Sequence, residues 1–219
     1  LTVNLSATGR RGNSEVFLAD ASGIAGILRE RHWTRLIFGG AYLNDGDRSL
    51  LDSRFIQLRY SWIPRSGFQT FHFVQAQQNE TLRLRSRWLV GSGAQQRILS
   101  GERTSFSVGT GAMLEWERLD AEAVAPGEPT ALDAVRMANL AVFRHRTETG
   151  VQILNILYFQ PRFDAFNDQR ILNDLGVTFP VTEAVRLTLS GEWRRDTRPP
   201  AGLERDDLVL KMGVALDFR

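Results

Sequence analysis

The chain has 219 residues, enough for one large all-β domain over 1–219. It lacks the run of about 18 or more apolar residues that a membrane-crossing helix needs, and it has no cysteine, which removes disulfides and thiol chemistry. The 27 basic and 25 acidic residues leave a net charge of +2, too small to argue for nucleic acid as a partner.

Period-two alternation dominates, in segments of roughly ten residues, the length of a tilted strand that crosses a bilayer. It predicts twelve strands, over 1–10, 15–29, 33–44, 54–63, 67–79, 82–99, 103–118, 134–146, 150–162, 169–180, 184–196 and 206–218. The first segment alternates from Leu1, which reads as a mature chain whose targeting segment has been removed. Segments 15–29, 134–146 and 150–162 are apolar on both faces in places, so their orientation stays open.

In the fourth segment Ile56, Leu58, Tyr60 and Trp62 oppose Gln57, Arg59 and Ser61. In the sixth, Trp88 and Val90 oppose Arg85, Arg87 and Leu89. In the seventh, Phe106, Val108, Leu114 and Trp116 oppose Ser107, Met113, Glu115 and Glu117. The eleventh sets Leu187, Leu189 and Trp193 against Arg186, Glu192 and Arg194, and the last sets Leu208, Leu210, Met212 and Phe218 against Asp207, Lys211 and Asp217. An even strand number puts both termini at one end. The connections at 30–32, 64–66, 100–102, 147–149 and 181–183 are short, whereas 45–53, 119–133, 163–168 and 197–205 are long. Bacterial barrels show the same asymmetry, with short periplasmic turns and long external loops.

A hairpin about Gly101 sets Arg87 against Glu115, Arg85 against Glu117 and Gly91 against Gly111, with Trp88 meeting Leu114. The last hairpin sets Glu192 against Lys211 and Arg186 against Asp217. Opposite charges share one face and apolar residues the other, and a one-residue slip would destroy that match. An arginine facing lipid at the midplane costs about 2–4 kcal/mol. The charged face is therefore assigned to a lumen network of Arg59, Arg85, Arg87, Glu115, Glu117, Arg186, Glu192, Arg194 and Lys211. The apolar face carries aromatic residues for the lipid interface: Trp62, Phe106, Phe179 and Phe218 on one rim, and Trp88, Trp116 and Trp193 toward the other.

These features predict a closed antiparallel up-and-down transmembrane β-barrel of about twelve strands, set in outer-membrane lipid with periplasmic termini. Barrel-assembly machinery is the expected partner during insertion, with other envelope proteins as further candidates.

The order of several motifs resembles the YdiY-like salt-induced outer membrane protein family, a domain of unknown function. The carrying residues are Thr8-Gly9-Arg10-Arg11-Gly12-Asn13-Ser14, the Asn79–Gly93 stretch with its Arg-x-Trp-Leu-x-Gly-x-Gly core, Glu102–Gly111, Asn155–Arg162 and Arg198-Pro199-Pro200-Ala201-Gly202. The resemblance implies an outer-membrane barrel and induction under salt stress, and it transfers no catalytic residues.

His32, His72 and His145 lie in separate segments without metal-ligand spacing, and no serine is evident opposite His72. No enzyme, metal site or cofactor is expected. Gly91, Gly93, Gly109 and Gly111 lie within strands, where they bend the sheet or make room for a bulky lumen side chain from the opposite wall; the alternative is that they leave a narrow water-filled groove. The paired charges favour a closed or very narrow, salt-bridged barrel that acts as a structural or assembly-anchoring component. The alternative is a narrow passive pore for ions or small solutes, and a lipid-modifying enzyme ranks below both.

Overall fold

The computed structural model describes residues 2–10, 16–45, 48–182 and 185–216. Alternating residues give strands β1 (Thr2–Arg10), β2 (Val16–Arg29), β3 (His32–Asp45), β4 (Arg48–Arg65), β5 (Phe68–Asn79), β6 (Leu84–Ser100), β7 (Thr104–Leu119), β8 (Ala131–Met137), β9 (Asn139–Arg146), β10 (Gln152–Pro161), β11 (Gln169–Pro180), β12 (Val185–Asp196) and β13 (Asp206–Leu216). Each pairs antiparallel with its neighbours in one continuous sheet.

β8 and β9 are two halves of a single eighth strand, because both continue one register along β7. The break at Ala138 has a cause on the neighbouring strand. The Phe163 amide donates to Val135 and the Arg162 amide to Asp168. Alternation therefore aims the nitrogen of Pro161 at β8 and β9, where it has no hydrogen to give. The sheet thus has the twelve strand positions that the alternation predicts.

The expectation of a closed barrel is overturned. β1 and β13 do not pair, and their edges stand 13 Å apart, so the sheet is a curled, open half-barrel. That gap is far wider than the ~4.8 Å between hydrogen-bonded strands. Alternation and hairpin chemistry specify each strand and its sequence neighbour, whereas closure is a first-to-last pairing that no local pattern encodes.

Two further departures are local. The long loop expected at 45–53 is largely strand, because β3 and β4 stay paired up to Asp45 and Arg48. Residues 46–47 lie outside the described residues. The β6–β7 hairpin sets Arg87 opposite Glu117, Trp88 opposite Trp116 and Gly93 opposite Gly111, two residues from the expected register. Its turn is built on Gly101–Thr104, with the Gly101 amide donating to the Thr104 carbonyl at 2.8 Å, and an irregularity between Arg97 and Leu99 restores the alternation. An even shift preserves the faces.

The two faces differ sharply. Trp88 (52 % exposed), Val90 and Leu114 stand on the convex face. The concave face holds a small apolar core of Phe71, Leu140 and Val142, with Phe73, Ile156 and Tyr158 packed on it. Gly91 and Gly93 lie beneath the rings of Phe73 and Phe71, where an added Cβ would come within 2.4 and 2.5 Å of ring carbons. The rings come from the adjacent strand, not from the opposite wall.

Candidate functional site

The concave face carries its charges at two levels. The level far from the chain termini is built on β6, β7, β8, β11 and β12. Alternation points Arg87, Glu115, Glu117 and Arg136 to the same side, and Arg170 and Asp196 are directly opposite each other across β11–β12. The Glu115 carboxylate, whose side chain is fully buried, takes contacts from three guanidinium groups: Arg87 Nε at 3.1 Å, Arg136 Nε at 2.6 Å and Arg170 Nη1. Glu117 binds Arg87 and, at 2.8 Å, Arg170 Nη2, which also reaches Asp196 through its Nε at 2.9 Å. Buried charge is tolerated only when its partners satisfy it, and this cluster meets that condition.

Arg136, with 1 % of its side chain exposed, extends the cluster to the loop over residues 162–168. Its Nη2 donates to the Asp168 carboxylate at 2.9 Å, and its Nη1 donates to the carbonyls of Gln160 and Asp168, both at 3.2 Å. Arg162 adds Nη1 to Asp168 at 3.3 Å and a two-pronged grip on Asp164 at 2.9 and 2.6 Å. The hydrogen bonds from Arg162 hold the Asp164 carboxyl below the usual carboxylate range. The loop is thereby latched onto the sheet.

A second loop crosses the same end. From the β12–β13 connection, Ala201 accepts from Arg83 Nη1 at 2.6 Å, and its amide donates to Glu128 Oε1 at 2.8 Å. Arg83 precedes β6 and Glu128 lies between β7 and β8, so residues 197–205 form a strap from one side of the curled sheet to its middle. Arg198 ties the strap to Asn167 at 3.1 Å.

Of the charged residues selected from sequence, the structure brings together Arg87, Glu115 and Glu117. Arg85 stands apart and exposed, because an irregularity between Leu84 and Ser86 rotates it out of the alternation, and the two-residue register shift gives Glu117 to Arg87 instead. Arg194 and Glu192 pair with each other at 3.4 Å on β12. Lys211 is opposite Ser190 and Arg186 is opposite Ala215, while the expected partner Asp217 lies outside the described residues. Arg59 is at the other level, opposite Arg35. Four members of the buried cluster were missed: Arg136, Asp168, Arg170 and Asp196. Arg170 and Asp196 were findable, since applying the opposite-charge test to the 169–196 hairpin pairs them. Arg136 sits in a segment of ambiguous orientation, and Asp168 in a loop that has no periodicity.

Among the aromatic residues, Trp62 and Trp116 are exposed on the convex face, as Trp88 is. Phe106 and Phe179 are half-buried near the terminus-bearing rim. Trp193, toward the opposite rim, donates from Nε1 to Asp206 at 3.1 Å. Phe218 lies outside the described residues. The convex wall also carries a polar row. His32 Nδ1 meets the Tyr60 hydroxyl at 2.6 Å, Tyr60 stacks on His72, and His72 Nδ1 meets Ser92 Oγ at 2.9 Å. Strand pairing therefore does place a serine opposite His72. The remaining partner of His72 is Thr70 at 3.3 Å, not a carboxylate or amide. The surrounding backbone amides belong to the strand ladder, so no donor pair is left to hold an oxyanion. Among the described residues no group of three His, Asp or Glu side chains could hold a metal ion.

A family model described as "Protein of unknown function, DUF481" matches residues 3–218. The chain belongs to the DUF481 family. This is the family to which the motif order pointed. No curated protein sequence matches the chain. Among solved structures, the fold is similar to a NanC porin in a rhombohedral crystal form. The TM-score is 0.59 at 7% identity, covering 99% of this chain and 100% of that one. At that identity the likeness concerns the fold alone. This DUF481 protein thus folds as an outer-membrane-type β-sheet with buried salt bridges.

Proposed function

We propose that the protein is a narrow passive pore for ions or small solutes in the bacterial outer membrane. Its convex face contacts outer-membrane lipid, its termini are periplasmic, and the barrel-assembly machinery inserts it. One observation carries this reading: the balanced cluster of Arg87, Arg136 and Arg170 with Glu115, Glu117, Asp168 and Asp196 projects from the concave face at a single level. Charged rings of this type select ions where a passage narrows. A fold shared with a porin supports the same reading. An outward charged face and an inward greasy one would have opposed it.

The test is reconstitution into planar bilayers. Discrete single-channel steps are expected, and Arg87→Gln shifts the reversal potential in a salt gradient toward cation preference. Silent bilayers despite confirmed insertion, or an unchanged reversal potential in the variant, would remove the proposal.

A further inference from the structure

At the level near the chain termini the balance of charge is different. Arg35 on β3 is directly opposite Arg59 on β4. Two like charges in that position repel and weaken a sheet. Neither forms an ion pair with any described carboxylate, and the compensation each receives comes from an aromatic ring. The Arg35 guanidinium carbon lies 3.8 Å from the Trp33 ring centroid, and that of Arg59 lies 5.2 Å from the Phe71 centroid. The Nε atoms of both arginines are shielded from solvent and have no hydrogen-bond partner, and the same holds for Oγ of Ser61, a fully buried residue two positions from Arg59. Arg144 shares its face with buried Val142 on β9. Val142 packs in one core with Phe71, the ring over which Arg59 lies, so the group spans from one arm of the curl to the other.

We infer that Arg35, Arg59, Arg144 and Ser61 form a binding site for a small oxyanion, a carboxylate or phosphate group carried by a solute. The unmet arginine groups are donors, and the Ser61 hydroxyl can donate. A carboxylate or phosphate offers only acceptors, and guanidinium forks match it in two-pronged geometry. A metal cation would be repelled by three arginines, and a neutral solute would leave their charge uncompensated. The contrast with the far level is chemical: there each arginine has an acid from the chain itself, and here the acid must come from outside. The inference deepens the pore reading by naming the charge of its solute, and it rests on that reading only for the solute's passage, since binding needs no conduction.

The test is titration calorimetry on the whole protein in a nonionic detergent, with inorganic phosphate and acetate as separate probes. At least one is expected to bind, and Arg59→Gln weakens that binding by about tenfold or more, the scale of a lost charged hydrogen bond. Arg59→Lys keeps the charge but not the fork and gives a smaller loss. Arg103→Gln, on the rim beside Glu148, leaves binding unchanged. Each variant is first checked for native strand content by circular dichroism. If neither probe binds the unaltered protein, or if Arg59→Gln and Arg59→Lys both fold and bind as it does, the site does not exist. Channel steps without anion binding would overturn this inference and leave the pore standing. Binding without channel steps would do the reverse.

Discussion

Glu115→Gln tests the buried cluster directly. In the native protein one carboxylate oxygen meets Arg87 Nε at 3.1 Å as well as Arg170, and the other meets Arg136 Nε at 2.6 Å. Glutamine has the same shape but one acceptor oxygen and an NH2 group. Turned either way, its amide presents a donor to at least one guanidinium donor, and three buried cations lose a shared anion. Breaking a buried ion pair by removing one partner costs about 3–5 kcal/mol, because the remaining charge is left without compensation. The control is Glu148→Gln, whose partner Arg103 is half in solvent (side-chain exposures 53% and 81%). Exposed pairs of that type contribute about 0–1 kcal/mol. Both variants would be unfolded reversibly by urea from lipid vesicles, with tryptophan fluorescence as the readout. The reasoning predicts a midpoint far below the control for Glu115→Gln. Equal midpoints would refute the claim that the cluster depends on its central carboxylate.

Three further outcomes follow from local geometry. A Cβ at Gly111 would lie 2.2 Å from the Ser92 carbonyl oxygen and 2.7 Å from the Gly93 Cα. Since backbone cannot swing aside, Gly111→Ala should destabilise the β6–β7 pair by about 1–3 kcal/mol, and a wild-type urea midpoint would contradict this. Glu128→Gln weakens the acceptor for the Ala201 amide, so that amide should exchange with deuterium roughly tenfold faster, the strap having lost a charged hydrogen bond. Unchanged exchange would mean that the strap is held by other contacts. Asp164 is held below the usual carboxylate range by Arg162. The stabilisation it contributes is complete above that range and is lost as the pH falls through the depressed value. Loop 162–168 should then lose protection relative to intrinsic exchange rates on acidification, and Asp164→Asn should show low protection at neutral pH. A pH-independent loop would disprove the latch.

Strand positions were legible in sequence because a half-buried sheet imposes period two on every segment, as in 103–118 against β7 (Thr104–Leu119). Faces were legible for the same reason, and they survived a register error of two residues. What could not be read depends on single residues or on distant chain. Arg85 leaves the lumen face through one irregularity in the ladder. Asp168 joins the buried cluster from a loop, where no periodicity points it inward. The unneutralised pair Arg35 and Arg59 becomes visible only when β3 is laid against β4, because Arg35 alone is an ordinary polar residue of an alternating strand. Closure was inferred by analogy with complete barrels, and no local pattern in the sequence specifies whether β1 pairs with β13.

Phe71 and Phe73 recline on Gly93 and Gly91 instead of standing upright. A reclining ring adds roughly its own thickness to the wall, whereas an upright one would reach several ångströms further across. The depth of the concave trough is thus written in residues that have no side chain. A methyl group at position 91 or 93 would tip its ring off the wall and narrow the trough without altering a single charge.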